Sequence, residues 1–324
     1  MSSLDDLPRP PSGKFGWPWT VASGPLSPTM PGGRAWPRLS IVTPSFNQGA
    51  FIEETLRSVL LQGYPNLEYF VIDGGSTDQT IEIIRAYSPW LTAWVSERDN
   101  GQAAAINKGF RLSSGDLMAW VNSDDSYAAN TLGRIGRFFG DNPAARIVSG
   151  FRRNVSASND GGVRVYPEPD AYSLSRCCYV AQEATFWTRT VWDTVGGLDE
   201  SFRFALDYDF WQRILRAGFR FDLLPMYAGR FRLHPESKGS RWADVRAEEL
   251  RRIYSTYLGT TKSELELWAE ISARWWRRVR LLHRLAHRGI LNHLGLAKVI
   301  VRLLSLSEAR IPNFAGERVA FGFE

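Results

Sequence analysis

A short apolar run, Leu117-Met118-Ala119-Trp120-Val121, stops abruptly at Asn122-Ser123-Asp124-Asp125. Large apolar side chains without polar alternation mark a strand covered on both faces. Such a strand belongs to a layered α/β sheet, whose ligands bind beyond the carboxyl ends of the strands. Two adjacent carboxylates at that place repel each other unless something positive lies between them. A divalent, oxygen-loving ion such as Mg²⁺ or Mn²⁺ meets that need, because it holds carboxylates and phosphate oxygens together. The competing reading is a solvated turn, since Asn, Ser and Asp are ordinary turn residues.

The residues before this run repeat its pattern. Leu39 to Thr43 reads as a strand, followed by the turn Pro44-Ser45-Phe46-Asn47-Gln48-Gly49 and a helix over Ala50 to Leu61. Leu67 to Ile72 is a second buried strand that ends at Asp73, and Gly74-Gly75-Ser76-Thr77-Asp78 leads into a helix over Gln79 to Tyr87. Ser76 and Gln79 have the spacing of a capping box. Ala93 to Val95 is a third strand, Gln102 to Leu112 a third helix, and the opening run is the fourth strand. Strands alternating with helices at this spacing predict βαβ units and a mainly parallel sheet. Every strand ends in a polar or acidic loop, so these loops should share one edge. Neither a dinucleotide glycine fingerprint nor a P-loop occurs. Phosphate charge would therefore be met by metal and by scattered basic groups.

The remaining composition narrows the class. Residues 1–38 hold eight of the 17 prolines and form a leader without helix or ladder, although Phe15-Gly16-Trp17-Pro18-Trp19 is aromatic enough to dock on the folded body. The 13 Trp suggest large apolar contacts in a core, against sugars or at an interface. The adjacent pair Cys177-Cys178 makes neither a disulfide framework nor a usual zinc site, which agrees with a reducing cytoplasm. No signal peptide and no spanning helix are expected.

The segments Ile41-Val42-Thr43-Pro44-Ser45-Phe46-Asn47, Val71-Ile72-Asp73-Gly74-Gly75-Ser76-Thr77-Asp78 and Asn122-Ser123-Asp124-Asp125 closely resemble glycosyltransferase family 2. The resemblance runs from about Ser40 to His234. It implies the GT-A fold, an α/β architecture with a nucleotide-binding half and an acceptor half, and a nucleotide-sugar donor. It places Thr43, Pro44, Ser45 and Asn47 at the nucleotide pocket, with Asp73 hydrogen-bonding the base, commonly uracil. The acids of the DXD motif would meet the ribose and the metal-bound diphosphate. Asn122 stands in the first acidic place, so the motif can be counted as Asn122-Ser123-Asp124 or Ser123-Asp124-Asp125, and the ligand lies between Asp124 and Asp125. Glu97-Arg98-Asp99-Asn100-Gly101-Gln102 and Asn107-Lys108-Gly109 also look like the family. Arg98 and Lys108 can supply counter-charge for a diphosphate, although a cation near a helix end is favoured in any case.

Downstream, Asn130 to Phe139 reads as a helix, Arg146 to Ser149 as a strand, Val163 to Tyr166 as the closing strand of a hairpin, and Gln182 to Trp187 as strand-like. The segment Phe204 to Leu215 is an amphipathic helix that opens at Asp207. The family carries a catalytic Asp here, preceded by Glu, whereas this chain has Leu206 before it. Only the Asp carries over, as the base for an acceptor hydroxyl; Asp209 is the competitor. Arg230 to Lys238 resembles the family's closing loop, and His234 within it is a candidate metal or phosphate ligand. Helices are expected over Arg241 to Tyr257, Ser263 to Ala286 and Ile290 to Leu306. The stretch from Trp268 to Arg302 carries Arg274, Arg277, Arg278, Arg280, Arg284, Arg288, Lys298 and Arg302 among Trp and aliphatic residues. That mixture suits an anionic membrane surface or a face packed on the domain.

These readings predict a leader over 1–38, a GT-A domain over 39–238 and a basic helical tail over 239–324. They predict an inverting transferase with Asp207 as catalytic base and Thr43, Pro44, Ser45, Asn47, Asp73, Arg98, Lys108, Ser123 and Asp124 around the donor. Asp124, Asp125 and His234 would hold Mn²⁺ or Mg²⁺. The acceptor would be a saccharide or lipid-linked sugar, and the place of action cytoplasmic, on the inner face of the membrane. A nucleic-acid-binding protein using the basic tail is the alternative, but acids at strand ends would repel a phosphate backbone, so no nucleic acid is expected. An inactive glycosyltransferase-like binding protein is the other.

Overall fold

The structure is a computed structural model that describes residues 6–156, 160–166, 168–273 and 319–321. Its first half contains β1 (Leu39–Ser45), α1 (Ile52–Leu60), β2 (Leu67–Asp73), α2 (Thr80–Tyr87), β3 (Ala93–Ser96), α3 (Gln102–Leu112) and β4 (Leu117–Trp120). Next come β5 (Ser126–Tyr127), α4 (Thr131–Asp141), β6 (Ile147–Val155), β7 (Asp160–Val165), α5 (Ala171–Leu174), β8 (Thr185–Thr188), α6 (Arg189–Val195), α7 (Leu206–Arg216) and β9 (Asp222–Arg232). The short α8 (Lys238–Arg241), α9 (Ala243–Leu258) and β10 (Val319–Phe321) complete the labelled elements, and residues 264–273 are also helical.

The sheet is ten-stranded, in the order β10-β7-β6-β8-β4-β1-β2-β3, with β9 beside β6 and β5 beside β9. The strands β3, β2, β1 and β4 are mutually parallel, as expected. All seven residues of β1 are buried. Successive side chains leave a strand on opposite faces. Leu39 and Ile41 accordingly join α1, α2 and α4 in one core, while Val42 joins α3, α7 and α9 in the other. The chain winds outward over β1, β2 and β3, then crosses back to β4 with α3 on the opposite face. The reversal falls between β1 and β4, and such a switch point leaves a crevice at the carboxyl edge. Close packing there uses Gly109 of α3, where a Cβ would stand 2.5 Å from Val42 Cγ1.

The tryptophans divide between these surfaces. Trp120, Trp187 and Trp211 are fully buried and pack on one another with ring centroids 5.3 to 6.2 Å apart, so these three are core residues. Trp19 and Trp36 of the leader are buried too.

The leader docks, and the structure shows where. Arg57 of α1, only 4% exposed, donates to the carbonyls of Pro8, Pro18 and Trp19 and to the Tyr87 hydroxyl at 2.8 to 3.0 Å. Trp17 Nε1 donates to the Tyr127 carbonyl at 2.8 Å. Leu26, Trp36 and Met30 lie along α4, whose Gly133, Gly136 and Gly140 leave no room for a Cβ; at Gly136 it would come within 2.5 Å of the Tyr64 hydroxyl and 3.0 Å of the Trp36 ring.

Three local expectations change. Ser76 and Gln79 form no capping box. Ser76 Oγ instead donates to Asp73 and accepts the Asn47 N–H, while Asp78 accepts the Thr80 N–H at 3.0 Å. Gln182 to Ala184 is a 3-10 turn, and the strand begins only at Thr185. Residue 239 is not a packing boundary, because Leu250, Ile253 and Tyr254 of α9, with Leu267, lie in the α7 core. Of the expected basic tail, the helix over 290–306 and most of the one over 263–286 lie outside the described residues. Among the described residues no helix is long and apolar enough to cross a membrane.

Candidate active site

Four strand ends meet at the crevice. Ser45, Asp73 and Ser96 are register partners at the ends of β1, β2 and β3, and Asn122 to Asp125 follow β4. Thr43 is buried, with its hydroxyl 3.0 Å from the Tyr69 hydroxyl. Pro44 is buried, and Ser45 Oγ is buried without a hydrogen-bond partner among the described residues. Asn47 sits at φ 51°, which Asn tolerates better than most residues. Its Oδ1 takes the Thr77 N–H at 2.8 Å and so joins the turns after β1 and β2.

Asp73 is fully buried. Its Oδ2 accepts from the Gly75 N–H, the Ser76 N–H and the Ser96 hydroxyl at 2.7 to 3.1 Å, and Oδ1 accepts from the Ser76 hydroxyl. The carboxylate therefore organises the loop after β2, and only Oδ1 has acceptor capacity left. The structure shows no open face for a base at Asp73.

The two acids after β4 part company. Asp125 is 2% exposed; Oδ1 accepts the Arg232 N–H at 2.9 Å and Oδ2 the Asn122 side-chain amide at 3.2 Å. Burial first, then Asp124 and Glu183, push its carboxyl well above the usual range. Asp124 is more open, and its Oδ2 lies 3.1 Å from His234 Nε2. The loop after β9 brings this histidine back against Phe51, with the ring centroids 4.5 Å apart and the planes tilted by 45°. Arg232 holds the loop through the Asp124 carbonyl at 3.0 Å and Glu54 at 2.8 Å. The structure thus joins Asp124 and His234, while each oxygen of the buried Asp125 accepts one hydrogen bond inside the fold. Ser123 is buried, and its carbonyl accepts from the Thr55 hydroxyl at 2.9 Å.

On the acceptor side, Asp207 lies in the first turn of α7. Its carboxylate accepts the Tyr208 N–H at 2.8 Å, and no side-chain partner is seen among the described residues. Burial, reinforced by Glu183, pushes its carboxyl up to about 6. The competitor Asp209 is fixed by Arg213 at 2.9 Å and by the Tyr257 hydroxyl at 2.7 Å. The start of α7 is held from outside the helix. Glu249 of α9 accepts the N–H groups of Arg203, Phe204 and Ala205 at 2.7 to 2.9 Å.

The basic groups expected near a diphosphate are placed differently from each other. Lys108 is paired with Glu97, and Arg98 is exposed. A cation that the sequence reading passed over lies closer in. Lys238 Nζ donates to Gln102 Oε1 and to the Arg203 carbonyl, the latter at 2.9 Å, and burial pushes it down to about 8. Gln102 donates to Asn122 Oδ1 at 2.6 Å. Gln182 accepts from Asn122 at 3.4 Å and donates to the Trp120 carbonyl at 2.6 Å. One hydrogen-bonded chain therefore spans the acid loop, α3 and the closing loop. The signal available in the sequence was Gln102 itself, a polar residue opening a helix at the strand-end edge.

The profile described as Glycosyl transferase family 2 matches residues 40–183. The PGL/p-HBAD biosynthesis glycosyltransferase of Mycobacterium bovis is 30% identical over 185 residues, 54% of this chain and 69% of that protein. An uncharacterized glycosyltransferase of Rickettsia typhi is 25% identical over 195 residues, 56% of this chain and 59% of its own length. Among solved structures, S. aureus TarS 1-349 in complex with UDP-GlcNAc superposes with TM-score 0.57 at 20% identity, over 71% of this chain and 69% of that one. The mannosyltransferase PcManGT of Pyrobaculum calidifontis, in complex with GDP-Man and Mn²⁺, superposes with TM-score 0.55 at 23% identity, over 89% and 83%. The two superpositions agree with the expected GT-A fold. With the family profile running from β1 to the turn before β8, and with the mycobacterial relative, they lead to one conclusion: the chain belongs to glycosyltransferase family 2 and is a glycosyltransferase.

Proposed function

We propose that the enzyme moves a sugar from a uridine diphosphate sugar to a hydroxyl of a saccharide or lipid-linked acceptor, with inversion. The observation that carries this reading is Asp207, a half-buried carboxylate with raised basicity and no cation bound to it, at a helix start held in place by Glu249. Asp207 takes the proton of the acceptor hydroxyl. That oxygen attacks the anomeric carbon opposite the diphosphate, the carbon–oxygen bond to phosphate breaks, and one displacement inverts the centre. Ser45, Asn47 and the loop organised by Asp73 form the nucleotide side, and Lys238 stands as a cation between the two halves.

Asp124 and His234 fit a divalent ion, since one is an open carboxylate and the other an imidazole 3.1 Å away. Among the described residues no three acidic, His or Cys groups converge. The remaining ligands would therefore be phosphate oxygens and water, as is usual for Mg²⁺ and Mn²⁺. When bound, the ion neutralises charge on the leaving diphosphate.

The uridine reading is supported by the UDP-GlcNAc complex of TarS, and the GDP-Man complex of PcManGT stands against it. Thermal denaturation with Mn²⁺ and either nucleotide separates them. Uridine diphosphate should raise the midpoint more than guanosine diphosphate at equal concentration, as tighter ligands do; an equal or larger rise with guanosine diphosphate would overturn the assignment. The membrane reading is supported by sequence alone, through the basic residues between 274 and 302. The full chain should sediment with anionic vesicles and be released by high salt. Equal binding to neutral vesicles, or none to either, would refute it.

A further inference from the structure

The loop after β9 is pinned to the site at two points. At the first, His234 Nε2 lies 3.1 Å from Asp124 Oδ2. At the second, Lys238, the first residue of α8, reaches two other elements. Its Nζ donates to Gln102 Oε1 at the start of α3, and to the Arg203 carbonyl at 2.9 Å. Gln102 passes the link on, since its side-chain amide donates to Asn122 Oδ1 at 2.6 Å. Both acceptors of the ammonium are neutral. The Trp242 ring lies against it at 5.1 Å and carries the Arg203 guanidinium at 4.8 Å. A half-buried cation held on neutral dipoles is costly to fold, so its place calls for a reason beyond stability.

The Arg203 carbonyl belongs to the segment that leads into the base. Glu249 of α9 takes the N–H groups of Arg203, Phe204 and Ala205 at 2.7 to 2.9 Å. Ala205 is the N-cap of α7, and its carbonyl opens the helix by accepting the Asp209 N–H at 3.0 Å. Asp207 stands inside that first turn, with its carboxylate on the Tyr208 N–H at 2.8 Å. The segment is thus gripped by its N–H groups from α9 and by a carbonyl from Lys238. A shift of Arg203 moves the helix start, and the Asp207 carboxylate with it. We propose that Lys238 is a positioning residue that couples the acid loop to the base: one ammonium ties Asn122, through Gln102, to the Arg203 carbonyl, and so sets Asp207 against the sugar held at the acid loop. The inference rests on Asp207 being the base. Reaction rates are steep in the distance between reacting groups, so slack of about 1 Å in this tie costs on the order of 10² in rate with little effect on binding.

The test is steady-state hydrolysis by the full chain with Mn²⁺, using the fastest-cleaved member of a panel of uridine diphosphate hexoses. Water then stands in for the acceptor hydroxyl. Calorimetry with uridine diphosphate and Mn²⁺ gives the nucleotide Kd in parallel. Lys238→Met keeps the apolar stem against Trp242 and removes the donors. It should lower kcat roughly 10- to 100-fold while KM and Kd stay within about threefold of the parent. Gln102→Ala cuts the same tie at its other end, should show the same split, and serves if Lys238→Met does not fold. The double variant should be no more than about twofold slower than the slower single, because both changes remove one link. In the Asp207→Asn background, Lys238→Met should cost less than about threefold, since the tie acts through the base. A Kd that rises in step with the loss of kcat overturns the proposal and makes Lys238 a direct ligand of the diphosphate. Losses that multiply in the double variant overturn it as well, as does a change confined to the melting temperature. Normal kcat in Lys238→Met beside an inactive Asp207→Asn sinks the coupling and leaves the base standing. Normal hydrolysis by Asp207→Asn removes the base assignment, and the coupling falls with it.

Discussion

Asp207→Asn is expected to lose sugar transfer by a factor on the order of 10² or more, and yet to melt a few degrees above the parent at pH 7. The two effects have one cause. A half-buried carboxyl whose value rises from 3.8 to about 6 is a better base than an ordinary Asp, and its ionised form is disfavoured by the fold. The full difference would oppose folding by at most about 3 kcal/mol at neutral pH. Partial exposure lowers this to on the order of 1 to 2 kcal/mol. The sign follows from linkage. The folded state holds its proton more tightly than the unfolded chain, so the penalty is present above about 6 and vanishes below 3.8, where both states are protonated. The thermal advantage of Asn should therefore be largest at pH 7 to 8 and should fade as the medium is acidified. The matching change Asp209→Asn should instead lower the melting temperature, because Asp209 holds Arg213 and Tyr257 inside the fold. Normal transfer by Asp207→Asn, with loss of transfer in Asp209→Asn, would move the base to Asp209.

Replacing the two acids after β4 should give two different phenotypes. Asp124→Asn changes an open carboxylate next to His234. It should fold like the parent and lose donor turnover by a factor on the order of 10², as removal of charge stabilisation at a leaving group does. Its affinity for Mn²⁺, measured by calorimetry without donor turnover, should fall as well. Asp125→Ala removes the acceptor of the Arg232 N–H and of the Asn122 amide within the fold. Its main effect should be thermal, a loss of about 1 to 3 kcal/mol, moderated by relief of repulsion from Asp124 and Glu183. Unchanged Mn²⁺ affinity in Asp124→Asn, or a full loss of Mn²⁺ affinity in a well-folded Asp125→Ala, would reverse the assignment.

Much of the molecule was readable in one dimension. The strands β1 to β4 and the helices between them follow from apolar periodicity and turn residues, because these patterns act over a few neighbouring positions. Leu39 to Ser45 and Tyr69 to Asp73 are buried as their sequences demand, and the acid-ended strands do share one edge. The resemblance at Thr43, Asp73 and Asp124 likewise needed only spacing along the chain, whereas Asp207 lies beyond the matched profile over residues 40–183. What depends on residues far apart was not readable. Asp124 and Asp125 are adjacent and chemically alike, and only the return of β9, with Arg232 and His234 more than a hundred residues later, turns one inward and leaves the other open. Asp207 and Asp209 lie two positions apart on one helix, and Arg213 together with α9 commits the second. The aromatic residues of the leader announced that it docks but not where; its free carbonyls are met by Arg57 of α1, a side chain with several donors. Local sequence thus determined which backbone conformations were possible and where polar groups would gather. The tertiary fold decided which of those groups stay uncommitted, because hydrogen-bond partners and burial are supplied by whichever distant segment packs beside them.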